Sequence, residues 1–247
     1  RFEEMLADNR IWFGESGNNT PRVKKFLSEV KEGITPMTIW KHTDVGHSQD
    51  ATQRLKELFD GEDYFDYPKS VDLIKRCIQI YSNSNSIVLD FFAGSGTTGH
   101  AVMQLNAEDA GKRKFILCQI DEPIKEDKPA YKFCIENNLP PVISSITIER
   151  LKRAGEKIAR TIEDQNAKAG MFEEDKKQVP DIGFKVFDSV AAPKLEVDDK
   201  GQILLPELYT DALSRIYNMI FTIGLDEPSQ VPEEVIKDCI YKIGNNY

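Results

Sequence analysis

The sequence is short of cysteine, and its four cysteines stand apart: Cys77, Cys118, Cys134 and Cys239. No two are spaced for a zinc knuckle or a redox pair, so free thiols in a reducing cytoplasm are expected. Three of them sit in apolar runs, which predicts burial. There is no long apolar run and no secretory leader, so neither export nor a membrane span is expected. Positive charge is in deficit. Lys and Arg number 32 against 41 Asp and Glu, a net charge of −9. Phosphate contact needs a basic face, so the balance argues against a free-standing nucleic-acid binder. It leaves room for a DNA-acting protein of which this chain is one part. Repeats and low-complexity tracts are also missing. What is present is 247 residues at 40% apolar content, enough for a real core in one large domain or in a domain with an appendage. The chain opens on Arg1 rather than Met, so a fragment is expected.

The most informative stretch runs from Ser86 to Gly99. Ile87-Val88-Leu89-Asp90 reads as a buried strand closed by an acid. Phe91-Phe92-Ala93 follows, then Gly94-Ser95-Gly96-Thr97-Thr98-Gly99, with a helix from Thr97 to Leu105. Lys114 to Asp121 is a second apolar strand ending in an acid. Strand, helix, strand predicts a βαβ unit with parallel neighbours.

Upstream, residues 9–13 read as a strand and 14–19 as a turn. Thr20-Pro21 predicts a helix to Val30 stopped by Gly33. Thr38 to Lys41 is a second strand candidate. Residues 41–47, with His42, Asp44 and His47, have no metal-ligand spacing and read as a polar loop at a cleft mouth. Ser48 is expected to cap a helix carrying Leu55, Leu58 and Phe59. Asp66 to Ser70 opens a helix with Val71, Ile74, Ile78 and Tyr81 at helical spacing.

Downstream, Pro140-Pro141 forbids a helix. The helix that follows carries Arg150, Lys152, Arg153, Lys157 and Arg160. It reads either as a solvated face or as a phosphate-facing stripe. Gly170 to Pro180 is polar, which places a linker there and divides the chain into 1–170 and 171–247. Residues 183–187 and 201–205 are strand-like. Glu207 to Ile223 is apolar nearly all round, so that helix is expected to be covered at an interface.

The glycine loop spells Gly-x-Gly-x-x-Gly, which suggests a nucleotide. A triphosphate P-loop is excluded, because His100 and Ala101 stand where Lys and Ser/Thr are required. For a dinucleotide, Asp90 is badly placed: a carboxylate opposes pyrophosphate. It favours a ligand with a cationic group and no phosphate, and S-adenosylmethionine (AdoMet) is one. Glycines let the backbone approach such a ligand, and loop amides can face its carboxylate. NAD and a ligand-free tight turn remain as weaker alternatives.

These residues carry a resemblance. Val88 to Gly99 resembles the AdoMet motif of DNA methyltransferases that modify adenine N6 or cytosine N4. Phe65 to Ile74 looks like the segment preceding that motif in the permuted, or β, class. Arg113 to Asp121 is similar to the class's second strand. Residues 8–14, 44–47 and 104–109 look more specifically like modification (Mod) subunits of type III restriction-modification systems. The resemblance covers roughly residues 1–165, and the C-terminal part fits the same subunit loosely.

The resemblance implies an α/β fold: a Rossmann-like AdoMet-dependent methyltransferase core, partial and mostly parallel, with a small α+β appendage. It implies that Asp90, Phe91, Phe92, Ala93, Gly94, Ser95, Gly96, Thr97 and Thr98 bind AdoMet. Gln119 and Asp121 would meet the ribose, and Lys69 would lie beside the site. Gln119 stands where many relatives have Glu, and Lys69-Ser70 where many have Lys-Pro. Gln119 otherwise reads as a strand-end polar residue, and Lys69 as a surface lysine.

Such enzymes act through an Asp/Asn/Ser-Pro-Pro-aromatic tetrapeptide, and the only Pro-Pro here is in Leu139-Pro140-Pro141-Val142. The expectation is therefore the AdoMet-binding C-terminal part of an adenine-N6 methyltransferase, without its catalytic and recognition segments and without a metal. Double-stranded DNA, a restriction (Res) subunit and a second copy of the chain are the implied partners. A stand-alone methyltransferase of the same class and a non-catalytic AdoMet-binding module are the alternatives.

Overall fold

The structure is a computed structural model. It describes residues 1–30, 33, 35–168, 176–189, 196–197, 200–204, 212–224, 231–237 and 239–244. The elements are α1 (Phe2–Ala7), β1 (Ile11–Trp12), β2 (Arg22–Val23), α2 (His42–Val45), α3 (Ser48–Leu58), α4 (Val71–Tyr81), β3 (Ile87–Asp90), α5 (Thr97–Asp109), β4 (Lys114–Leu117), α6 (Pro129–Glu136), α7 (Ile143–Lys168), β5 (Glu196–Val197), β6 (Ile203–Leu204), α8 (Ala212–Ile223), β7 (Glu233–Ile236) and β8 (Ile240–Lys242). This is a mixed α/β chain with small sheets. No helix among the described residues is long and apolar enough to cross a membrane.

At the centre is the predicted βαβ unit. β3 and β4 pair in parallel, Ile87 opposite Lys114 and Asp90 opposite Leu117, with α5 between them in sequence. The pairing continues past the strands: Cys118 N donates to Asp90 O, and Ala93 N donates to Cys118 O. Helix α5 buries small and apolar residues on two sides, Gly99, Ala101, Val102, Met103 and Leu105 among them, and it is covered by α4 and α7. Ala101, Val102 and Leu105 pack with Val71 and Ile78 of α4. Met103 joins a larger cluster with Phe59, Phe133, Ile146, Leu151 and Ile158.

The prediction of a buried strand holds for one face only. Val88 and Phe115 pack into the helical core, whereas Ile87 is 64% and Leu89 49% exposed. Parallel strands are normally covered on both faces. Among the described residues, helices cover one.

Several upstream expectations are corrected. Residues 20–30 are not a helix. Arg22–Val23 pairs antiparallel with Ile11–Trp12, and a single 3-10 turn covers Leu27–Glu29. Tertiary contacts outweigh the capping signal: Arg10 bonds Glu29 and lies 4.8 Å from the Phe26 ring centroid. Residues 38–41 form no strand, and the 41–47 loop contains the short helix α2. Helix α3 is capped by His47, not Ser48. Asp50 N donates to His47 Nδ1, and His47 N donates to the Asp50 carboxylate, a capping box with an imidazole as acceptor. Ser70 caps α4 and also donates to Val45 O at 2.6 Å, tying α2 to α4.

Of the free cysteines only Cys134 is fully buried. Cys118 and Cys239 are exposed, because the first follows a strand end and the second sits in the β7–β8 turn.

Residues 183–187 are not a strand. They run across α7 and β4, with Ile182 against Gly155 and the Phe184 ring 6.5 Å from that of Phe115. Most of the expected linker, and residues 207–211 of the last expected helix, lie outside the described residues. Within α8, Ile220 is buried, Leu213, Met219, Phe221 and Ile223 are exposed, and Tyr217 and Phe221 pack on Phe187.

Candidate functional site

The site follows from how β3 ends. Asp90 is the last strand residue, and the backbone must turn at once to start α5. The Asp90 carboxylate makes the turn: Oδ1 accepts from Phe92 N at 3.0 Å, and Oδ2 accepts from Thr98 Oγ1 at 2.5 Å. No Lys or Arg among the described residues pairs with it. A carboxylate has about four acceptor positions, so Asp90 keeps room for a cation.

Phe91 and Phe92 project from the strand end and are 65% and 84% exposed. Ala93 is buried under the turn. Gly94 and Gly96 have φ of +51° and +79°, conformations that side-chain-bearing residues rarely adopt. Gly96 is the N-cap of α5, and the first helical bond runs from His100 N to Gly96 O. The amides of Thr97, Thr98 and Gly99 therefore have no intrahelical acceptor, as at every helix start.

The back of the loop is fastened by α7. Thr147 donates to Gly94 O. Arg150 Nη1 donates to Ser95 Oγ at 2.5 Å, to Thr97 Oγ1 at 2.8 Å and to Ser95 O at 3.3 Å. Neither sequence-based reading of Arg150 holds, because the residue points inward and is 2% exposed. It shares the buried face with Ile146, Thr147, Leu151, Ala154 and Ile158. That helical spacing is the signal that could have separated it from the basic stripe. Two of the outer basic residues are ion-paired instead. Arg153 bonds Glu149 and Asp60, and Arg160 bonds Glu156.

Burial lowers the Arg150 pKa to about 10. The neighbouring His100 falls to about 3, mainly through burial and next through the charge of Arg150. His100 is half-buried as a residue, and its Nδ1 is buried without a partner among the described residues.

Gln119 also reaches the loop. Its Oε1 accepts from Gly94 N at 2.8 Å, and its Nε2 donates to Ile120 O. Asp121 is exposed beyond β4. Lys69 meets the loop through its carbonyl, which lies 3.5 Å from Thr97 Oγ1, while the residue itself is exposed. The structure thus gathers Asp90, Phe91, Phe92, Ala93, Gly94, Ser95, Gly96, Thr97, Thr98 and Gln119 at one strand end, with Lys69 at its margin. Thr147 and Arg150 are the site residues that the sequence analysis missed. A cleft of about 460 Å³ lies elsewhere, between α3 and α7, lined by Glu57, Glu149, Lys152, Arg153 and Arg160 among others. Its charges largely neutralise one another.

The chemistry of this donor set can be tested against the candidate ligands. An unpaired carboxylate on one side and orphan amides on the other suit a zwitterion. A pyrophosphate would meet the same amides but would be repelled by Asp90.

Comparison with known proteins identifies the family. A family model described as DNA methylase matches residues 8–131. The chain is 32% identical over 198 residues to the type III restriction-modification enzyme StyLTI Mod subunit of Salmonella typhimurium, covering 80% of this chain and 27% of that protein. It is 34% identical over 156 residues to the EcoP15I Mod subunit of Escherichia coli, covering 63% and 22%. It is 38% identical over 151 residues to the type II methyltransferase M.KpnI of Klebsiella pneumoniae, covering 61% and 34%. The chain therefore spans only about a quarter to a third of the length of these relatives. The match to the family model extends from β1 through the glycine loop and β4, so the chain belongs to the DNA methylase family.

Proposed function

We propose that this chain is the AdoMet-binding part of a site-specific DNA adenine-N6 methyltransferase, of the kind formed by type III Mod subunits. The observation that carries the reading is Asp90. It is a carboxylate without a cation partner among the described residues, at the end of a parallel strand, and it is bonded to the start of the helix that the glycine loop opens. A dinucleotide site has no use for it.

In this reading Asp90 holds the ligand's ammonium, and the amides of Thr97 and Thr98 receive its carboxylate. Phe91 and Phe92 wall the adenosine, and Gly94 and Gly96 hold the turn tight enough for close approach. Gln119 fixes Gly94 from the second strand, and Asp121 stands next to it for the ribose, with Lys69 at the margin. AdoMet supplies a methyl group on a cationic sulfonium, which makes the methyl electrophilic without a metal. The βαβ unit is then part of a Rossmann-like sheet. The bare face at Ile87 and Leu89 is covered by segments that also bring the catalytic tetrapeptide and the DNA-recognition region. Double-stranded DNA, a Res subunit and a second copy are the partners, with α8 and the segment before it as the contact. The setting is the cytoplasm.

The test is titration calorimetry with AdoMet and with NAD on the protein expressed from its complete reading frame. AdoMet binding that Asp90→Ala abolishes, in a protein that still unfolds cooperatively, is the expected result. NAD binding, or an AdoMet affinity unchanged in Asp90→Ala, overturns the assignment. A second reading, a stand-alone methyltransferase acting on adenine N6 or cytosine N4, is favoured by the likeness to M.KpnI. Methylation of DNA by the purified protein, followed by nucleoside analysis, separates the two bases. Copurification with a nuclease subunit marks the type III assembly.

A further inference from the structure

The chain has a second uncompensated charge beside the loop, and it is of the opposite sign to Asp90. Arg150 is 2% exposed, yet everything it bonds is neutral: one carbonyl and two hydroxyls of Ser95 and Thr97. No carboxylate among the described residues lies within ion-pair distance of it. Its Nε has no acceptor among the described residues. A buried cation of this kind is costly unless something anionic meets it. The loop it grips is also the N-terminus of α5, where three backbone amides are free and the helix dipole is positive.

The two charges are held by adjacent parts of one loop. Asp90 bonds Thr98, and Arg150 bonds Ser95 and Thr97. The loop is thus set between an unpaired anion and an unpaired cation. That is the complement of an α-amino acid, whose ammonium and carboxylate share one carbon. A ligand with the amine alone would satisfy Asp90 and leave Arg150 as it is.

Resting on the AdoMet reading above, we propose that Arg150 is a positioning residue that makes the site selective for the carboxylate of the amino-acid end of the ligand. It locks Ser95 and Thr97 so that the α5 amides keep a fixed aim. Its charge, screened little in the interior, favours a carboxylate over a hydrogen at the same carbon. The neutral partners leave that charge free to act. His100 does not compete for the carboxylate, because it stays neutral behind the same turn.

The experiment compares AdoMet with decarboxylated AdoMet, which keeps the sulfonium, the adenosine and the amine. Affinities are measured by calorimetry on the protein from its complete reading frame, as the parent, R150Q and R150K, with thermal unfolding of each. The parent prefers AdoMet. R150Q loses about tenfold in AdoMet affinity and less than about threefold for the decarboxylated ligand. R150K, which retains the charge, keeps the preference. Should R150Q not fold, R150M carries the same comparison, because methionine brings no buried polar atom of its own. Equal losses for both ligands, or none for either, overturn the positioning role and leave the AdoMet assignment standing. A parent that binds neither ligand overturns that assignment, and this inference falls with it.

Discussion

Gln119, two residues beyond the end of β4, accepts a hydrogen bond from the amide of Gly94 at 2.8 Å, so the second strand fixes the glycine loop of the first. The bond needs only an acceptor oxygen. Gln119→Glu is therefore expected to leave stability within about 0.5 kcal/mol of the parent, and Gln119→Ala to cost about 1 kcal/mol. Urea unfolding gives the stability, and amide hydrogen exchange at Gly94 reports the bond itself. Exchange in Gln119→Ala as slow as in the parent would show that the loop is held by other means.

Gly96 turns the chain into α5 at φ +79°, and a Cβ built there would lie 3.0 Å from Thr147 Cγ2 and 3.4 Å from the Thr147 carbonyl. Gly96→Ala combines a left-handed conformation with that crowding. The expected loss is about 1–3 kcal/mol. Thr147→Ser removes the crowding methyl and keeps the hydroxyl that bonds Gly94 O. Gly96→Ala/Thr147→Ser should therefore be more stable than the sum of the single changes allows. Strict additivity in urea unfolding would mean that the two sites do not touch.

How far the sequence reveals this site depends on the range of the interaction. The βαβ unit was legible because it rests on two apolar strands, a glycine loop and a helix that are contiguous in sequence. Their register then follows from local pattern. The grip of Thr147 and Arg150 on the loop crosses more than fifty positions, and only inward spacing among basic neighbours hints at it. The segment at 20–30 failed for a related reason. Thr20-Pro21 is a good local helix start, but pairing with Ile11–Trp12 and the Arg10–Glu29 contact hold the chain extended. Burial of β3 was misjudged because composition cannot say how many faces are covered.

Phe59 is the best-packed aromatic residue of the main core at 1% exposure. Tyr64 and Phe133 meet its ring edge-on at 5.2 and 5.9 Å, and the Arg153 guanidinium lies 5.1 Å from its centroid. Phe59→Ala is expected to cost about 3–5 kcal/mol, since it empties a cavity that three elements surround. Phe59→Leu should cost clearly less. Because the Arg153 guanidinium lies over the ring, Phe59→Ala should reduce the effect of a further Arg153→Ala change. Urea unfolding of the four proteins measures the coupling. Independent effects would limit Arg153 to its ion pairs.

His100 gives the fold a pH dependence whose sign follows from its surroundings. Its pKa is lowered to about 3 in the folded chain, first by burial and then by Arg150, against about 6.5 in an unfolded one. Between these values the unfolded chain binds a proton that the folded chain does not, so stability rises with pH. The contribution is fully present above about pH 6.5 and is lost as pH falls toward 3, by at most about 1.4 kcal/mol per pH unit. From pH 7 to pH 5 the parent should lose about 2 kcal/mol through this residue. His100→Leu gives up no hydrogen bond at Nδ1, which has no partner, and it should remove that part of the slope. Urea unfolding of both proteins at pH 7 and pH 5 decides it. The carboxylates titrate alike in the two, so equal slopes would mean that His100 takes up its proton in the folded state, and Arg150 would then face a second cation that its surroundings have no means to neutralise.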